Sequence, residues 1–521
     1  MYSMSTLKSQ TRATFLKFCI VACLLTISAA TVTAATYTVS NVDDSGPGSL
    51  RQAIFDANAS PEDDVINFDP IVFASPQTIT LTSGELTITN NGSLMIGGPT
   101  AGVTISGNNQ SRVFLIHESA NATISDLTIT GGNGVGAIFQ AVSIGVGGGI
   151  LNYRGTLTLN NATVSGNSTP TGGGGIFSAR GTTVISNSTI SNNSAAISGG
   201  GIYSSWLTIS NSTVSGNTAT AGGGIFAAVN GVTITNSTVS TNLAERGGGI
   251  YINMFTSMTL TNSTVSGNSA TNFGGGIVTR DSSITTLTNT IIANSTSGGD
   301  CIRANGTINA EYSLFEDGLG CVNGTNVNNL TGDPMLGPLQ DNGGMTFTHA
   351  LLPGSPAFNA GSNLLIPAGV ATDQRGAGFP RIGGGTVDLG AFEVVICPNP
   401  QGYWKNNPEA WPVDTLTLGD ETYSKAELLV ILNTPAGTGR NADASLILAY
   451  QLIAAKLNAA SGADTDSVDA TIAAADTLLA SLGGQLPLRV RSSSTNGQMM
   501  VGYGMILDAF NKATTTLGCS Q

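Results

Sequence analysis

Acidic side chains between residues 333 and 388 form the densest group of residues in this sequence that could carry out chemistry. They are Asp333, Asp341, Asp373 and Asp388. Glycoside hydrolysis needs two carboxyl groups at short range, one acting as a general acid and the other as a base or nucleophile. The same segment contains Arg375 and Arg381, and carboxylates in structural ion pairs have shifted pKa values without being catalytic. We therefore expect these acids to pair with the two arginines rather than to catalyse a reaction.

The remaining reactive residue types do not form a recognisable catalytic or metal-binding pattern. The two histidines, His117 and His349, are far apart in sequence, and we interpret each as a structural or surface residue. The chain has no G-x-S-x-G motif, no C-x-x-C pair and no P-loop. We therefore predict no catalytic residue, no cofactor and no metal site.

A repeat between residues 147 and 294 supplies the elements that would position any functional side chain. A Gly-Gly-Gly-Ile signature recurs at intervals of 23 to 27 residues. Its isoleucines are Ile150, Ile176, Ile202, Ile225, Ile250 and Ile277. A period of about 25 residues without long helical patterns is typical of a solenoid, in which each turn contacts only its neighbours.

Asparagine and aliphatic columns within the repeat indicate the kind of solenoid. The first Asn of each repeat is Asn161, Asn187, Asn211, Asn236, Asn262 or Asn289, and the second is Asn167, Asn193, Asn217, Asn242, Asn268 or Asn294. Aliphatic residues lie two positions before and three positions after the first Asn, as Leu159 and Val164 do. Two inward residues five positions apart in strands require a corner between them.

Asn suits such a corner because it tolerates the left-handed backbone conformation, and stacked Asn amides can form a hydrogen-bonded ladder. The pattern predicts a parallel β-helix with three short strands per turn. Upstream, residues 48–58 are typical of a short amphipathic helix with Leu50, Ile54 and Ala57 on one face. We expect this helix to cover the open end of the solenoid, with Arg51 in a salt bridge.

Composition and the N-terminal segment favour an exported protein. The chain has 521 residues, of which 10% are charged, and a formal net charge of −13, which argues against nucleic acid binding. Residues 1–35 combine basic residues, an apolar run and small residues at the end, which is the pattern of a signal peptide. Lipoprotein-type cleavage before Cys23 is the alternative. No later segment is long and apolar enough to span a membrane.

Four cysteines follow the predicted signal peptide. They are Cys301, Cys321, Cys397 and Cys519. Four cysteines permit three pairings. We prefer Cys301 with Cys321 and Cys397 with Cys519, because each pair then brackets one segment of the sequence.

Several motifs resemble those of bacterial exported β-helix proteins. Residues 48–53 are similar to a Cys-Ser-Leu-Arg-Glu-Ala signature, although Gly48 and Gln52 replace its Cys and Glu. Segments 332–339, 342–344, 350–357, 373–376 and 387–393 look like motifs of the "choice-of-anchor Q" surface proteins. The resemblance covers roughly residues 36–395. It implies a secreted or surface-exposed, right-handed β-helix without established catalytic residues.

The composition changes after Glu393, and residues 397–521 are predicted to be α-helical. Helices are expected at 428–432, after a capping box of Ser424 and Glu427, and at 443–460, 466–482 and 498–512. Trp404 and Trp411 near the start of this segment would either anchor a small core, which we favour, or form a platform for sugars.

The outer surface of the repeat offers a candidate ligand-binding site. Arg154, Arg180 and Trp206 each follow a signature isoleucine by four residues, and we expect them to stack about 5 Å apart, with Arg180 against Trp206. The residues directly after four isoleucines are expected to form an outward aromatic ladder. They are Phe177, Tyr203, Phe226 and Tyr251. These side chains either cover the edge of the coil, which we favour, or form a shallow platform for glycans.

These features divide the chain into a signal peptide (1–35), an N-terminal cap with the first coils (36–130), regular repeats (131–300), last coils with the family motifs (301–396) and a helical module (397–521). We predict an all-β, right-handed parallel β-helix followed by a small α-helical domain. Its predicted function is that of a secreted or cell-surface adhesin or envelope structural protein, with glycans or other surface components as partners. The alternative, from fold alone, is a pectate-lyase-like lyase or a glycoside hydrolase.

Overall fold

The computed structural model describes residues 34–89, 92–136 and 145–512. The predicted signal peptide, apart from its last two positions, lies outside the described residues, as do Cys23 and Cys519. Residues 36–331 form a parallel β-helix, as the repeat predicts. Its strands form four ladders that run along the solenoid, which we name A to D in the order in which a regular turn passes through them. Ladder A begins at the signature isoleucine, ladder B ends before the first Asn, ladder C follows that Asn and ladder D follows the second Asn.

The strands of ladder A are Leu86–Ile88, Phe114–Ile116, Ile150–Tyr153, Ile250–Ile252, Ile277–Arg280 and Cys301–Ala304. Three long strands continue from ladder A into ladder B, namely Ile176–Ser186, Ile202–Ser210 and Ile225–Thr235. The other strands of ladder B are Thr36–Val39, Asp64–Phe68, Ser93–Gly97, Asn121–Ser125, Thr156–Asn160, Thr256–Thr261, Ile284–Thr288, Thr307–Glu311 and Asn326–Val327.

The strands of ladder C are Gln77–Thr80, Val103–Ser106, Leu127–Thr130, Thr163–Ser165, Thr189–Ser191, Thr213–Ser215, Thr238–Ser240, Thr264–Ser266, Ile291–Ala293, Leu314–Phe315 and Leu330–Thr331. Ladder D comprises Ser168–Thr169, Ser194–Ala195, Thr218–Ala221, Leu243–Arg246 and Ser269–Phe273. The prediction of three strands per turn misses ladder D, because its mostly small and polar residues carry no aliphatic column.

The aliphatic columns form the interior of the solenoid, as predicted. The signature isoleucines and the two columns that flank the first Asn are at most 1% exposed, including Ile209 and Val214. Like residues pair in register from turn to turn, for example Ile150 with Ile176. Full burial of each such side chain contributes roughly 1.5–3 kcal/mol, so the repeated columns account for much of the stability of the fold.

The two asparagine columns have different roles. The first Asn of every repeat has a positive φ, between 45° and 51°, and turns the chain from ladder B to ladder C. The second Asn is buried from Asn167 to Asn268. Its Nδ2 donates to Oδ1 of the next Asn at 3.0 Å on each step from Asn167 to Asn268. The predicted ladder of amide hydrogen bonds is therefore present. It is continuous in the column of the second Asn and not in the column of the corner Asn.

The glycines of the signature are required by the close approach of neighbouring turns. The first glycine has a positive φ, such as 65° at Gly173. A Cβ atom on the second, Gly174, would lie 2.3 Å from the carbonyl oxygen of Gly200. A side chain at either position would therefore be strained or would push the turns apart.

Helix α1, Leu50–Asn58, lies at the N-terminal end of the solenoid and packs against its first turns. Its buried residues include Leu50, Ile54 and Ala57, as predicted. Arg51 donates to Asp44 at 2.7 Å and to the carbonyl oxygens of residues 84 and 85. Arg51 thus fixes the helix to the solenoid through the predicted salt bridge.

Residues 333–396 fold back along the side of the solenoid, and we call this segment the strap. It contains an antiparallel pair of strands, Leu336–Gln340 and Thr348–Leu351, and a short 3-10 helix, Asn363–Leu365. The strap bonds to ladder C and to the corner asparagines, for example through Asn289, whose side chain makes two hydrogen bonds with the main chain of Ser362. The family-like motifs therefore cover a side of the solenoid rather than its end.

Within residues 397–512, five α-helices follow the strap. They are α2 (Gln401–Asn406), α3 (Lys425–Asn433), α4 (Ala444–Ala460), α5 (Asp469–Leu482) and α6 (Thr495–Asn511), with a hairpin of Thr415–Leu418 and Glu421–Ser424. The capping box of Ser424 and Glu427 is present. Trp404 and Trp411 are 2% and 7% exposed and pack in a separate core, so the core interpretation of these residues is confirmed. Sequence patterns missed α2 and the hairpin, which are too short to show a period. The division of the chain at residue 397 stays a prediction.

Cys301 and Cys321 form a disulfide, with their Cα atoms 5.9 Å apart, as predicted. Cys397 is also disulfide-bonded, and its pairing with Cys519 stays a prediction. Across the described residues, helices fall short of the length and apolarity that crossing a bilayer requires.

Candidate functional site

The outer face of ladder B is open to solvent, whereas the outer faces of ladders A and C are covered over several turns. Outward residues of ladder B such as Thr182 and Thr208 are exposed. On ladder A, the outward residue Tyr251 is 4% exposed. On ladder C, the outward residues Thr213 and Thr238 are fully buried beneath the strap. A macromolecular ligand can therefore reach ladder B along its length.

The central outward column of ladder B forms an uncharged strip of five threonines and one valine that we call the threonine face. Its members are Thr158, Val184, Thr208, Thr233, Thr259 and Thr286. They are level with one another in adjacent strands, about 4.8 Å apart. Side chains of one strand point alternately inward and outward, so the buried column beside them fixes these hydroxyls in a regular array.

The corner between ladders A and B borders the threonine face and carries a row of exposed apolar side chains, which we call the A–B edge. Its residues and their exposed fractions are Trp206 (44%), Val229 (44%), Met254 (41%), Phe255 (75%) and Ile284 (50%). Exposed apolar side chains that follow one another over successive turns mark a site of interaction more often than isolated ones do.

Phe255 is the most exposed aromatic residue of the A–B edge, and its backbone is strained. Its φ is 58°, in the left-handed region that bulky residues avoid. Equivalent corners on other turns place Asn230 and Asn305 in the same region. A phenylalanine that is both strained and exposed contributes little to folding, and such positions cluster at functional sites. Sequence reasoning missed Phe255 because it belongs to the longest repeat and lies five residues after its isoleucine.

The predicted aromatic ladder is present as a continuous stack. Ring centroids of Phe177 and Tyr203 are 4.4 Å apart, those of Tyr203 and Phe226 are 5.1 Å apart, and those of Phe226 and Tyr251 are 5.3 Å apart. Successive rings are within 13° of parallel. The stack lies outside the main core but is half-buried to buried, and burial raises the pKa of Tyr203.

The stack is covered by ladder D, whose strands each precede a Gly-Gly-Gly-Ile signature. Tyr251 and Phe226 pack with Ala221 and Phe273 of ladder D. The Tyr251 hydroxyl accepts a hydrogen bond from Nη1 of Arg280 at 3.1 Å. The flat faces of the rings are occupied by one another, so the geometry favours the interpretation that the stack covers the edge of the coil. A role of these four residues in binding stays a prediction.

Arg154 and Arg180 occupy equivalent corners on adjacent turns, with φ values of 59° and 58°. Nη1 of Arg154 lies 3.0 Å from Oε1 of Glu118, and its guanidinium is 5.3 Å from the Tyr153 ring. Arg180 is exposed. The two arginines border the N-terminal end of the A–B edge, where Glu118 offsets the charge of Arg154 and Arg180 adds a positive charge.

The expectation that Trp206 continues this arginine column is wrong. Trp206 is level with Thr182 in the preceding strand and with Gly231 in the following one. It therefore lies two positions further along the turn than Arg180. The cause is the shorter connection after Ile202, where the strand register shifts. Trp206 is instead the first outward residue of its ladder B strand.

The acids of the strap do not converge on an open cleft. Oδ1 of Asp333 and of Asp341 accepts a hydrogen bond from the main chain two residues later, within surface turns. Asp373 and Asp388 are fully buried. Within the described residues, no group of three or more His, Cys, Asp or Glu side chains has the arrangement of a metal site.

Of the four acids singled out from the sequence, Asp373 alone forms the expected ion pair with an arginine of the strap, and Asp388 accepts from main-chain amides instead. Nη2 of Arg375 lies 2.6 Å from Oδ2 of Asp373, and its guanidinium lies between the rings of Phe379 and Phe392 at 3.9 and 3.8 Å. Nη2 of Arg381 lies 2.7 Å from Oε2 of Glu393, a buried acid that sequence reasoning did not single out.

Burial raises the pKa values of Glu393 and Asp388. Main-chain amides donate to both carboxylates, from Gly383 and Asp388 to Glu393 and from Asn359 and Val394 to Asp388. These contacts close the loops of the strap on themselves. The acids thus hold the strap together and are inaccessible to a polymeric substrate.

His349 is a structural residue, as predicted. It is 8% exposed, its Nδ1 lies 2.7 Å from the carbonyl oxygen of Gly337, and its Nε2 lies 2.9 Å from Oγ of Ser240. These partners fit a neutral ring in which Nδ1 donates and Nε2 accepts. Burial lowers the pKa of His349. His117, which is far from His349 in the sequence, is half-buried.

Comparison with known proteins gives likeness of fold. No family model matches the chain, and no curated protein matches it in sequence. Pectate lyase Pel9A is 15% identical over 70% of this chain and 97% of its own, with a TM-score of 0.41. The Dettilon tailspike protein is 14% identical over 57% of this chain and 69% of its own, with a TM-score of 0.32. Jun a 1, the major allergen of cedar pollen, is 15% identical over 61% of this chain and 85% of its own, also with a TM-score of 0.32.

Proposed function

We propose that this protein is an exported surface β-helix that binds polysaccharide on the A–B edge without cleaving it. The observation that carries the proposal is the row of exposed apolar residues from Trp206 to Ile284, beside the uncharged threonine face and next to Arg154 and Arg180. Sugars lie on aromatic faces, and arginine binds carboxylates in a fork geometry. This combination suits a neutral or acidic glycan that runs along the solenoid.

The chemistry of the edge supports binding rather than hydrolysis. Glycoside hydrolysis requires two carboxyl groups about 5–10 Å apart on either side of the scissile bond. Two acids at the corner between ladders A and B, Glu118 and Asp281, each pair with an arginine and lie six turns apart, which is about 29 Å at 4.8 Å per turn. The strap acids are buried in their own network. A protein that holds a polymer on a flat surface without such a pair functions as an adhesin or an envelope component.

Export is the second element of the proposal. The disulfide of Cys301 and Cys321 suits an oxidising compartment, and the first 35 residues have the pattern of a signal peptide. The motif resemblance to the choice-of-anchor Q proteins agrees with a location on a bacterial surface. Mass analysis of the mature protein would locate the cleavage site and show whether Cys23 is retained or lipidated.

A glycan-array screen followed by titration tests the binding site. We expect wild-type protein to bind a polysaccharide, and the double change Trp206→Ala with Phe255→Ala to weaken binding by about tenfold or more, since loss of an exposed anchor costs at least about 1 kcal/mol. Arg154→Ala with Arg180→Ala should weaken binding to acidic glycans more than to neutral ones.

The matched control is Phe55→Ala on helix α1. Phe55 is 68% exposed but lies at the end of the solenoid, away from the A–B edge. Binding that is undiminished in the Trp206 and Phe255 double variant would place the glycan elsewhere. Release of shortened or unsaturated sugars by the wild-type protein would favour the enzymatic alternative.

A further inference from the structure

The outer side of ladder C carries a column of hydroxyl groups that serves as a docking surface for the strap. We call it the hydroxyl column, and its members are Thr78, Thr104, Thr128, Thr163, Thr189, Thr213, Thr238 and Thr264. The strap covers the column from Thr213 onward, where these residues are at most 2% exposed. The earlier members, from Thr78 to Thr189, are exposed or partly exposed.

The covered part of the column shows which chemical group it binds. The side-chain amide of Gln374 spans two turns of the solenoid. Its Nε2 donates to Oγ1 of Thr213 at 2.9 Å, and its Oε1 accepts from Oγ1 of Thr238 at 2.6 Å. Main-chain amides use the same column, since Ala391 N donates to Oγ1 of Thr264 at 3.0 Å. Two hydroxyls on adjacent turns therefore bind the edge of a primary amide on which the C=O and one N–H point the same way.

An equivalent pair of hydroxyls is open in a groove near the N-terminal end of the column. Thr128 and Thr163 are level with each other in adjacent strands, and both line a groove of about 390 Å³. Pro99 stands on one side of this groove, and Asp126 and Asn161 form its corner. A volume of this size is sufficient for a small organic ligand or a sugar unit.

The geometry points to this groove as a binding site for the acetamido group of an N-acetylated polysaccharide. The inference rests on the proposed polysaccharide-binding function and names the sugar class. The carbonyl oxygen of one acetamido group can accept from the hydroxyls of both Thr128 and Thr163, as Oε1 of Gln374 accepts from Thr238, while its N–H points the opposite way, as in any trans amide. The Asp126 carboxylate, which accepts a hydrogen bond from Nδ2 of Asn161, is exposed at the corner of the groove and can also accept from sugar hydroxyls.

The composition of the open turns favours a sugar polymer over a polypeptide as the occupant. Where the strap docks further along ladder C, the outward positions become apolar, and Leu351 and Leu389 of the strap pack against Ile291 and Leu314. At the groove, the outward positions of ladder C are Thr and Ser. A polypeptide would gain little apolar burial there, whereas a sugar polymer offers many hydroxyls to this surface.

The test compares two soluble, neutral oligomers of equal length, one of N-acetylglucosamine and one of glucose, by calorimetric titration of the full-length mature protein. We expect the N-acetylated oligomer to bind and the glucose oligomer to bind at least about tenfold more weakly. The double change Thr128→Val with Thr163→Val removes both hydroxyls at nearly constant shape. It should weaken binding of the N-acetylated oligomer by about tenfold, the effect of two lost hydrogen bonds.

The matched control is Thr417→Val with Thr422→Val, an exposed cross-strand pair of hydroxyls in the hairpin that follows the strap, which should leave this binding unchanged. Equal binding of the two oligomers, or an undiminished affinity in the Thr128 and Thr163 variant, overturns the inference. The inference is also overturned if a peptide with the sequence of residues 371–377 binds in the groove and neither oligomer binds. Polysaccharide binding that depends on Trp206 and Phe255 but not on N-acetylation would overturn this inference alone and leave the proposed function intact.

Discussion

The buried asparagine ladder leads to a prediction whose magnitude follows from its hydrogen bonds. Asn193 is 1% exposed, and its side chain makes four of them. Its Nδ2 donates to Oδ1 of Asn217 and to the carbonyl oxygen of Val164, and its Oδ1 accepts from both N and Nδ2 of Asn167. After Asn193→Ala, the buried main-chain N–H of Asn167 loses this acceptor, whereas Asn167 Nδ2 keeps the carbonyl oxygens of residues 129 and 165.

An unsatisfied buried donor costs about 1–3 kcal/mol, and the cavity left by the side chain adds about 1 kcal/mol. We therefore expect Asn193→Ala to lower the free energy of unfolding by about 2–4 kcal/mol. Each turn contacts only its neighbours, so hydrogen exchange should accelerate in the turns around Val164, Asn193 and Asn217 and much less at the first turns. Urea denaturation combined with exchange mass spectrometry measures both effects.

Asn160→Ala is the control, because Asn160 is exposed on ladder B and the same side chain is removed. Its effect should stay within about 0.5 kcal/mol. If Asn193→Ala were equally mild, the buried amide ladder would not stabilise the solenoid. Exchange that accelerated uniformly along the chain would contradict the nearest-neighbour picture.

Three further predictions concern the edge, the strap and the core. Phe255→Asn should raise the melting temperature, because Asn tolerates the φ of 58°, while it weakens polysaccharide binding; a lower melting temperature would mean that the ring supports the fold. Burial raises the pKa of Asp388 to about 6 and that of Glu393 to about 7, so the stability that they contribute is present below about pH 4 and is lost as the pH rises through 6 and 7. His349 contributes a stability that changes with pH in the opposite direction, because its folded pKa is lowered. Urea titrations over this pH range should therefore compare wild type with Glu393→Gln. This variant should lose part of the fall in stability and keep the histidine contribution. Ile209→Asp should unfold its part of the solenoid, because an unpaired buried carboxylate costs several kcal/mol; unchanged proteolytic resistance would show that the residue tolerates water.

Periodic features of the sequence predicted the fold because each buried column repeats. Ile209 and Val214 could be placed inside from spacing alone, and Asn211 at a corner between them. The disulfide of Cys301 with Cys321 followed from the simple order of the cysteines. These features depend on contacts between neighbouring turns, and the residues that make these contacts recur in the sequence.

Features that arise from non-repeating segments were harder to predict. The position of Trp206 depended on a strand connection shorter than the others, so counting from Ile202 placed the ring on the wrong column. The path of the strap depended on contacts between residues more than 100 positions apart, such as Thr238 with Gln374. No local pattern in either segment encodes this pairing, although the hydroxyl column that receives it is visible in the repeat.

The strap also determines how the molecule would respond to a pulling force. A force applied to the helical module enters the solenoid through residue 396 and the strap. The strap is bonded at Thr213, Thr238, Thr264 and Asn289, which belong to four different turns. Tension therefore loads these contacts one after another, beginning with that of Ala391 to Thr264, and does not pull the last coil away first. Under the proposed function, this order of loading keeps the binding face of the solenoid folded while the strap carries the force.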